Sequence, residues 1–250
     1  MTSALKGNRI IACTVATVCA LVLITLLNIL PLPENLVRLL VDKYNGNVNY
    51  VAVQNFMWIA FFVGLAELSV RYLYIREEEK ELGMGLLSES SNELISISQT
   101  GVLKERIEGR NGQLSGIIRR LVDNFTANQS TDRCSTHLSA EVELISNDID
   151  RAYASLRYIV WLLPTLGFVG TVWGIMLALG NASANKASEN LLNIVMDSMG
   201  VAFCTTLLAL ILSCILVFFM QLIQTREEAY LNKCFRYCLT YFINNLYDKN

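Results

Sequence analysis

The chain has little of what soluble chemistry needs. Its 250 residues hold one histidine, His137, and three prolines, and only 17% are charged. A lone imidazole, read here as a surface residue, excludes a histidine-built metal centre. No nucleophile–base set, phosphate loop or metal cluster stands out, so an enzyme is the least expected class. Seven cysteines (Cys13, Cys19, Cys134, Cys204, Cys214, Cys234 and Cys238) make no CxxC pair and no zinc spacing, and read as small packing residues or free thiols. A net charge of −2 gives no case for nucleic-acid binding. The most telling absence is charge over long runs. Residues 10–33, 44–66, 158–185 and 198–225 contain no Asp, Glu, Lys or Arg. With 53% hydrophobic residues and a mean hydropathy of +0.41, the chain is too apolar for an ordinary soluble domain.

What is present in those runs is enough to cross a bilayer four times, since each crossing needs about 20 apolar residues. The first run is long for a signal peptide, and no small-x-small cleavage site follows it, so it reads as an anchor. Lys6 and Arg9 precede the first run; Arg71, Arg76 and Lys80 follow the second. Arg151 and Arg157 precede the third; Arg226, Lys233 and Arg236 follow the fourth. The short connections on the other side hold only Arg38, Lys43 and Lys186. By the positive-inside rule both termini and the region between Arg71 and Arg157 are cytoplasmic. The expected organisation is an all-α membrane protein: a first helix pair in 1–70 (10–32 and 48–70) and a helical cytoplasmic insert in 71–157. A second pair follows in 158–225 (158–181 and 198–223), then a C-terminal amphipathic helix in 226–250.

Within the insert, the REEEKE run at 76–81 extends the second helix into solvent. Gly109 and Gly112 mark a turn, and GIIRRLVDNF at 116–125 is amphipathic. From about Ser135 the positions Leu138, Val142, Ile145 and Ile149 recur at helical spacing, with no Pro or Gly before Pro164. One long helix is expected to run from there into the third segment. In the tail, Leu231, Cys234, Cys238 and Phe242 share a face that packs against the bundle or a neighbour.

The last two segments each carry a stripe of small, mildly polar residues. Gly167, Thr171, Gly174 and Ala178 share one helical face; so do Ser198, Ala202, Thr206, Ala209 and Ser213. Two such stripes suggest a wall facing something slim: another helix, a file of water, or both. The centre of these segments has no Asp, Glu, Lys or Arg, so the chain alone offers no obvious proton carrier. A threonine hydroxyl both donates and accepts, which suits Thr171 and Thr206 to orienting water or receiving a carboxyl group. The plainer alternatives are back-bonding to a carbonyl one turn earlier and close helix packing. Thr205 points elsewhere. Trp173 reads as a packing residue or subunit contact. Pro164 is a hinge or merely sets the helix angle. Asp197, nine residues before Thr206 and so about 13 Å along a helix, is either a cation-attracting outer mouth or a solvated interfacial residue. Glu67 stands four residues before Arg71, the spacing of a helical ion pair.

GFVGTVWGIMLAL followed by VAFCTTLLALIL resembles the channel-forming helix pair of the MotA/TolQ/ExbB family, the larger subunits of ion-driven motors in bacterial inner membranes. The resemblance is most specific over 163–179 and 201–212 and extends loosely to the whole topology. It implies a homopentamer around two copies of a MotB/TolR/ExbD-like subunit, each with a single transmembrane helix bearing an aspartate. It implies a proton, or alternatively sodium, as the transported ion, and no cofactor. It carries the family's two threonines onto Thr171 and Thr206, and the proline of the matching MotA helix onto Pro164. Partner or pore contact would fall to Gly167, Gly174, Ala178, Ser198, Ala202, Ala209 and Ser213. The chain also departs from its relatives. Val201 stands where ExbB and TolQ members usually have glutamate, and four helices are closer to MotA, whereas GTVWG is closer to ExbB and TolQ. The insert shows no clear match to the charged surface with which MotA engages the flagellar rotor. The competing reading is a four-helix membrane scaffold or signalling protein with no ion path.

Overall fold

The computed structural model describes residues 3–29, 39–40, 43–44, 47–48, 53–83, 101, 104–105, 107, 109–110, 112–184 and 191–246. Its elements are α1 (Ser3–Ile29), β1 (Lys43–Tyr44), β2 (Asn47–Val48), α2 (Val53–Leu82), α3 (Gln113–Asn128), α4 (Thr131–Ala184) and α5 (Leu191–Tyr241), closed by a 3-10 turn at Ile243–Asn245. Among the described residues four helices, α1, α2, α4 and α5, are long and apolar enough to cross a membrane. The all-α membrane fold expected from the sequence is the one observed. The chain divides into two compact units, one from Met1–Val70 and Ala154–Gln221, the other from Arg71–Tyr153 and Leu222–Asn250.

The first unit is small inside and large outside. In α1, Ala16, Ala20 and Ile24 recur every four residues and are buried, while Ile11, Val15, Val18 and Val22 are exposed. In α4 and α5, Phe168, Val172, Phe203 and Phe218 face outward, each more than half exposed. Such a surface would drive aggregation in water. In a bilayer it costs nothing, because lipid is as apolar as the side chains, and helices associate through close contact instead. At the start of α2, Gln54 Nε2 donates to the Leu39 carbonyl at 3.1 Å and Trp58 Nε1 to the Leu40 carbonyl at 3.0 Å, tying down the connection from α1. At Gly64 an added Cβ would come within 2.8 Å of Leu216 on α5 and 3.4 Å of Ile159 on α4, so glycine lets α2 nest against both.

The second helix starts later than its apolar run. Lys43 pairs with Val48 and Tyr44 with Asn47 in a two-rung antiparallel ladder, and α2 begins only at Val53. The local sequence explains this, because Asn45-Gly46 is a hairpin-turn dipeptide. From Val53, α2 runs unbroken through the Arg76–Glu81 charges to Leu82.

The second unit has an ordinary hydrophobic core. Ile117, Ile118, Leu121, Val122 and Phe125 of α3 are buried with Cys134 and Leu138 of α4 and Cys234, Cys238 and Phe242 of the C-terminal segment. Burying each large aliphatic or aromatic side chain contributes roughly 1.5–3 kcal/mol relative to exposure. Here α3 ends in a left-handed residue, Gln129 (φ 50°), whose N–H returns to the Phe125 carbonyl at 2.9 Å. Gly109 sits at φ +88°, in the turn expected there and in a conformation that glycine alone adopts freely. The amphipathic tail is no separate helix but the continuation of α5, and it packs on α3 and the start of α4 of its own chain. His137 is half-buried rather than on the open surface.

Candidate functional site

In the first unit, α4 and α5 meet along a seam of missing side chains. A Cβ on Gly167 would stand 2.6 Å from the Ala209 Cβ, and one on Gly174 would stand 2.6 Å from the Ala202 Cβ and 3.0 Å from its Cα. A Cβ on Gly170 would meet the Thr205 Oγ1 at 2.6 Å. The two stripes read from the sequence therefore face each other within one chain. Gly167, Gly174, Ala202 and Ala209 are buried in that contact, covered by the neighbouring helix of the same subunit, and Ala178 is buried further along α4. Their chemistry explains the placement, since only glycine and alanine let backbones approach this closely.

Hydroxyls supply the polarity of the seam. Thr171 Oγ1 and Thr206 Oγ1 are in hydrogen-bond contact across it. Thr206 also donates to the Gly167 carbonyl at 3.1 Å, while Thr171 lies 3.1 Å from that same carbonyl and 3.3 Å from the Ala202 carbonyl. Both threonines are only partly buried. Two hydroxyls and two main-chain carbonyls thus form one compact oxygen cluster at the edge of the seam. Each hydroxyl has one proton and two lone pairs, and carbonyls donate nothing. The pair can therefore both accept and donate at this position.

Ser213 has a different task. Pro164 lies inside α4 and has no N–H, so the carbonyl four residues earlier, that of Val160, loses its helical partner. Ser213 Oγ donates to the Val160 carbonyl at 3.1 Å. In a membrane helix such a freed carbonyl needs a substitute donor, and α5 supplies it. Thr165, next to the proline, donates back to the Leu162 carbonyl at 2.7 Å.

Asp197 and Ser198 belong to α5, but their side chains lie outside the described part of the structure. Trp173 is 57% exposed and makes no part of the seam. Gly170 and Thr205 were not singled out from the sequence as a packing pair. Thr205 is buried, bonds the Ala202 carbonyl at 2.8 Å and fills the space that Gly170 leaves. A signal for it was present, since Gly170 lies three residues after Gly167 and four before Gly174.

The second unit holds a polar cluster that sequence spacing did not reveal. Arg71 Nη1 donates to both oxygens of Glu227, at 2.9 and 2.8 Å, and the Tyr153 hydroxyl donates to Glu227 Oε2 at 2.9 Å. The guanidinium lies 4.5 Å from the centroid of the Tyr153 ring. The Arg71 and Glu227 side chains are only 13% and 4% exposed. Arg71 thus binds a carboxylate 156 residues away in sequence. Glu67 is itself buried and lines a groove with Ile10, Cys13, Thr14 and Thr17 of α1. Burial, reinforced by the Glu227 charge, raises the Tyr153 phenol well above its ordinary range. On the surface, the Arg226 hydrogen bond holds Glu79 below the usual carboxylate value. Among the described residues no group of three or more His, Cys, Asp or Glu is placed to hold a metal ion.

The description of the MotA/TolQ/ExbB proton channel family matches residues 110–234, half of the chain and the whole of the α4–α5 seam. No curated protein matches, and no solved structure does. The chain belongs to the MotA/TolQ/ExbB proton channel family, a family of channels rather than of enzymes.

Proposed function

Taking membership of the MotA/TolQ/ExbB proton channel family as the premise, we propose that this chain is the larger subunit of a motor driven by ion-motive force. Five copies surround the single membrane helices of two partner subunits, each helix bearing an aspartate. The complex sits in a bacterial inner membrane with both termini cytoplasmic, and Asp197 stands near the outer mouth. A proton, or alternatively sodium, crosses at the boundary between this chain and the partner carboxyl group. The pentamer and its partner then rotate relative to each other, and the partner's outer domain or the helices of the 71–157 region deliver the work.

The observation that carries this reading is the Thr171–Thr206 oxygen cluster. In an apolar seam it is a position where hydroxyls remain partly open, able both to accept and to donate. A neutral, protonated aspartate gives its O–H to a hydroxyl there without bringing a charge into the seam. Protonation also removes most of the cost of moving the carboxyl group past apolar wall residues. Loading a proton thus selects which state the wall accepts.

Thr206→Val keeps the shape and removes the hydroxyl. The expected result is an intact oligomer with ion-driven work lost, measured as proton flux in vesicles containing the chain and its partner. Flux at the wild-type level in that variant would refute the assigned role. Native mass spectrometry of the extracted complex tests the stoichiometry: a five-copy particle is expected, and a stable monomer or dimer in several mild detergents would remove the central pore.

A further inference from the structure

Glu78 is a buried charge of the second unit. It lies on α2 beyond the apolar run and is 7% exposed. Its Oε2 accepts the Gln113 backbone N–H at 2.8 Å and the Tyr230 hydroxyl at 3.1 Å, and the Tyr74 hydroxyl, one turn earlier, bonds the same carboxyl group. Gln113 is the first residue of α3, and the residue before it, Gly112, has no side chain with which to cap the helix. Glu78 therefore does from another helix what a capping side chain ordinarily does from within. One carboxyl group joins α2, the start of α3 and the last part of α5. Arg71, partly buried in the same unit, is bonded to Glu227. Among the described residues the titratable neighbours are Tyr74 and Glu81 on α2 and Tyr230 and Cys234 on α5, with the backbone N–H of Gln113 on α3. Burial holds both phenols far above their ordinary range and pushes the Cys234 thiol up to about 11, so all three remain neutral around physiological pH.

We propose that Glu78 is a proton-responsive joint: on taking up a proton it tightens the contact among α2, α3 and the end of α5, and on ionising it loosens that contact. A neutral carboxyl group still accepts the Gln113 N–H through its carbonyl oxygen, whereas an ionised one holds its charge largely away from water. Burial is the largest influence on Glu78 and raises its pKa; the three hydrogen bonds oppose that rise without cancelling it. The folded unit therefore binds a proton that the unfolded chain has already released. The resulting stability is complete below the ordinary carboxylate value and is lost as pH rises through the raised one. In a machine that passes protons, this joint would respond to the pH on its own side of the membrane.

The test uses the full chain in lipid nanodiscs. Infrared titration is expected to show a protonated-carboxyl band that persists above the ordinary carboxylate range and is missing from Glu78→Gln. Amide exchange in the first turn of α3, corrected for its intrinsic pH dependence, is expected to slow as pH falls between the raised and the ordinary value, by about tenfold per pH unit across that window. The Glu78→Gln profile should be flat. Parallel exchange profiles in the two proteins, or a band unchanged by the substitution, would overturn the proposal. If Glu78→Gln fails to accumulate, Tyr230→Phe decides: it removes a donor that favours the ionised form, so the titration should move upward, and an unmoved titration sinks the idea.

Discussion

Between α4 and α5, Gly174 and Ala202 approach so closely that a methyl group has no room. In the other unit, Tyr153, Tyr230 and Phe125 fill the interior, with two buried glutamates and a partly buried arginine. The contrast follows from the surroundings. Lipid gives apolar side chains no reason to leave it, so membrane helices adhere through backbone proximity and hydroxyl-to-carbonyl bonds. Water does give that reason, and the apolar burial it drives offsets the desolvation of Arg71 and Glu227. The polar bonds of the seam are made by neutral hydroxyls, whereas the second unit pairs the Arg71 and Glu227 charges.

Three substitutions break this comparison from opposite sides. The largest effect is expected from Glu227→Ala. It strands a guanidinium whose side chain is 13% exposed and removes the acceptor of the Tyr153 hydroxyl. Breaking one partner of such a buried pair costs about 3–5 kcal/mol, which denaturant titration of the extracted protein measures; a loss below about 1 kcal/mol would show that water already reaches the pair. Next comes Gly174→Leu. The clash is with the Ala202 backbone as well as its side chain, so no rotamer relieves it, and a loss of about 1–3 kcal/mol is expected. Unchanged thermal stability would mean that α4 and α5 are not packed this closely.

The smallest effect sharpens the comparison. Ser213→Ala should cost about 0.6–1 kcal/mol, the range for a membrane hydrogen bond. Its link to Pro164 is measurable by a double-mutant cycle. In Pro164→Ala the Val160 carbonyl regains its helical N–H, and removing the Ser213 hydroxyl should then cost almost nothing. Equal costs in both backgrounds would separate the serine from the proline.

Much of the first unit was legible in the sequence. Uncharged runs longer than a bilayer crossing leave few alternatives, and glycines at helical spacing announce a close contact. What spacing left open was which surface that stripe meets. Gly167 and Gly174 share a face whether the partner is a foreign helix or α5 of the same chain, and the Cβ distances to Ala209 and Ala202 identify α5. Ser213 looked like one more member of its stripe. Its bond to Val160 depends on a proline in another helix, a relation that no periodicity encodes. The second unit was legible in its apolar faces: Leu138, Cys234, Cys238 and Phe242 are all buried where helical spacing put them. Its charges were not, because the Arg71–Glu227 pair joins residues 156 apart in sequence, a relation that no helical spacing encodes.

The sequence by itself determined the four membrane-length helices, the amphipathic face of α3, the turn at Gly109 and the two small stripes, because each follows from local spacing, charge exclusion or backbone freedom. Only the tertiary structure decided that the stripes close on each other, that Ser213 serves the carbonyl freed by Pro164, and that Glu227 and Glu78 gather donors from distant helices. The physical reason is that hydrophobic pattern fixes which face of a helix is buried, whereas a hydrogen bond or ion pair is assigned only when the angle and height of two packed helices bring particular atoms within about 3 Å.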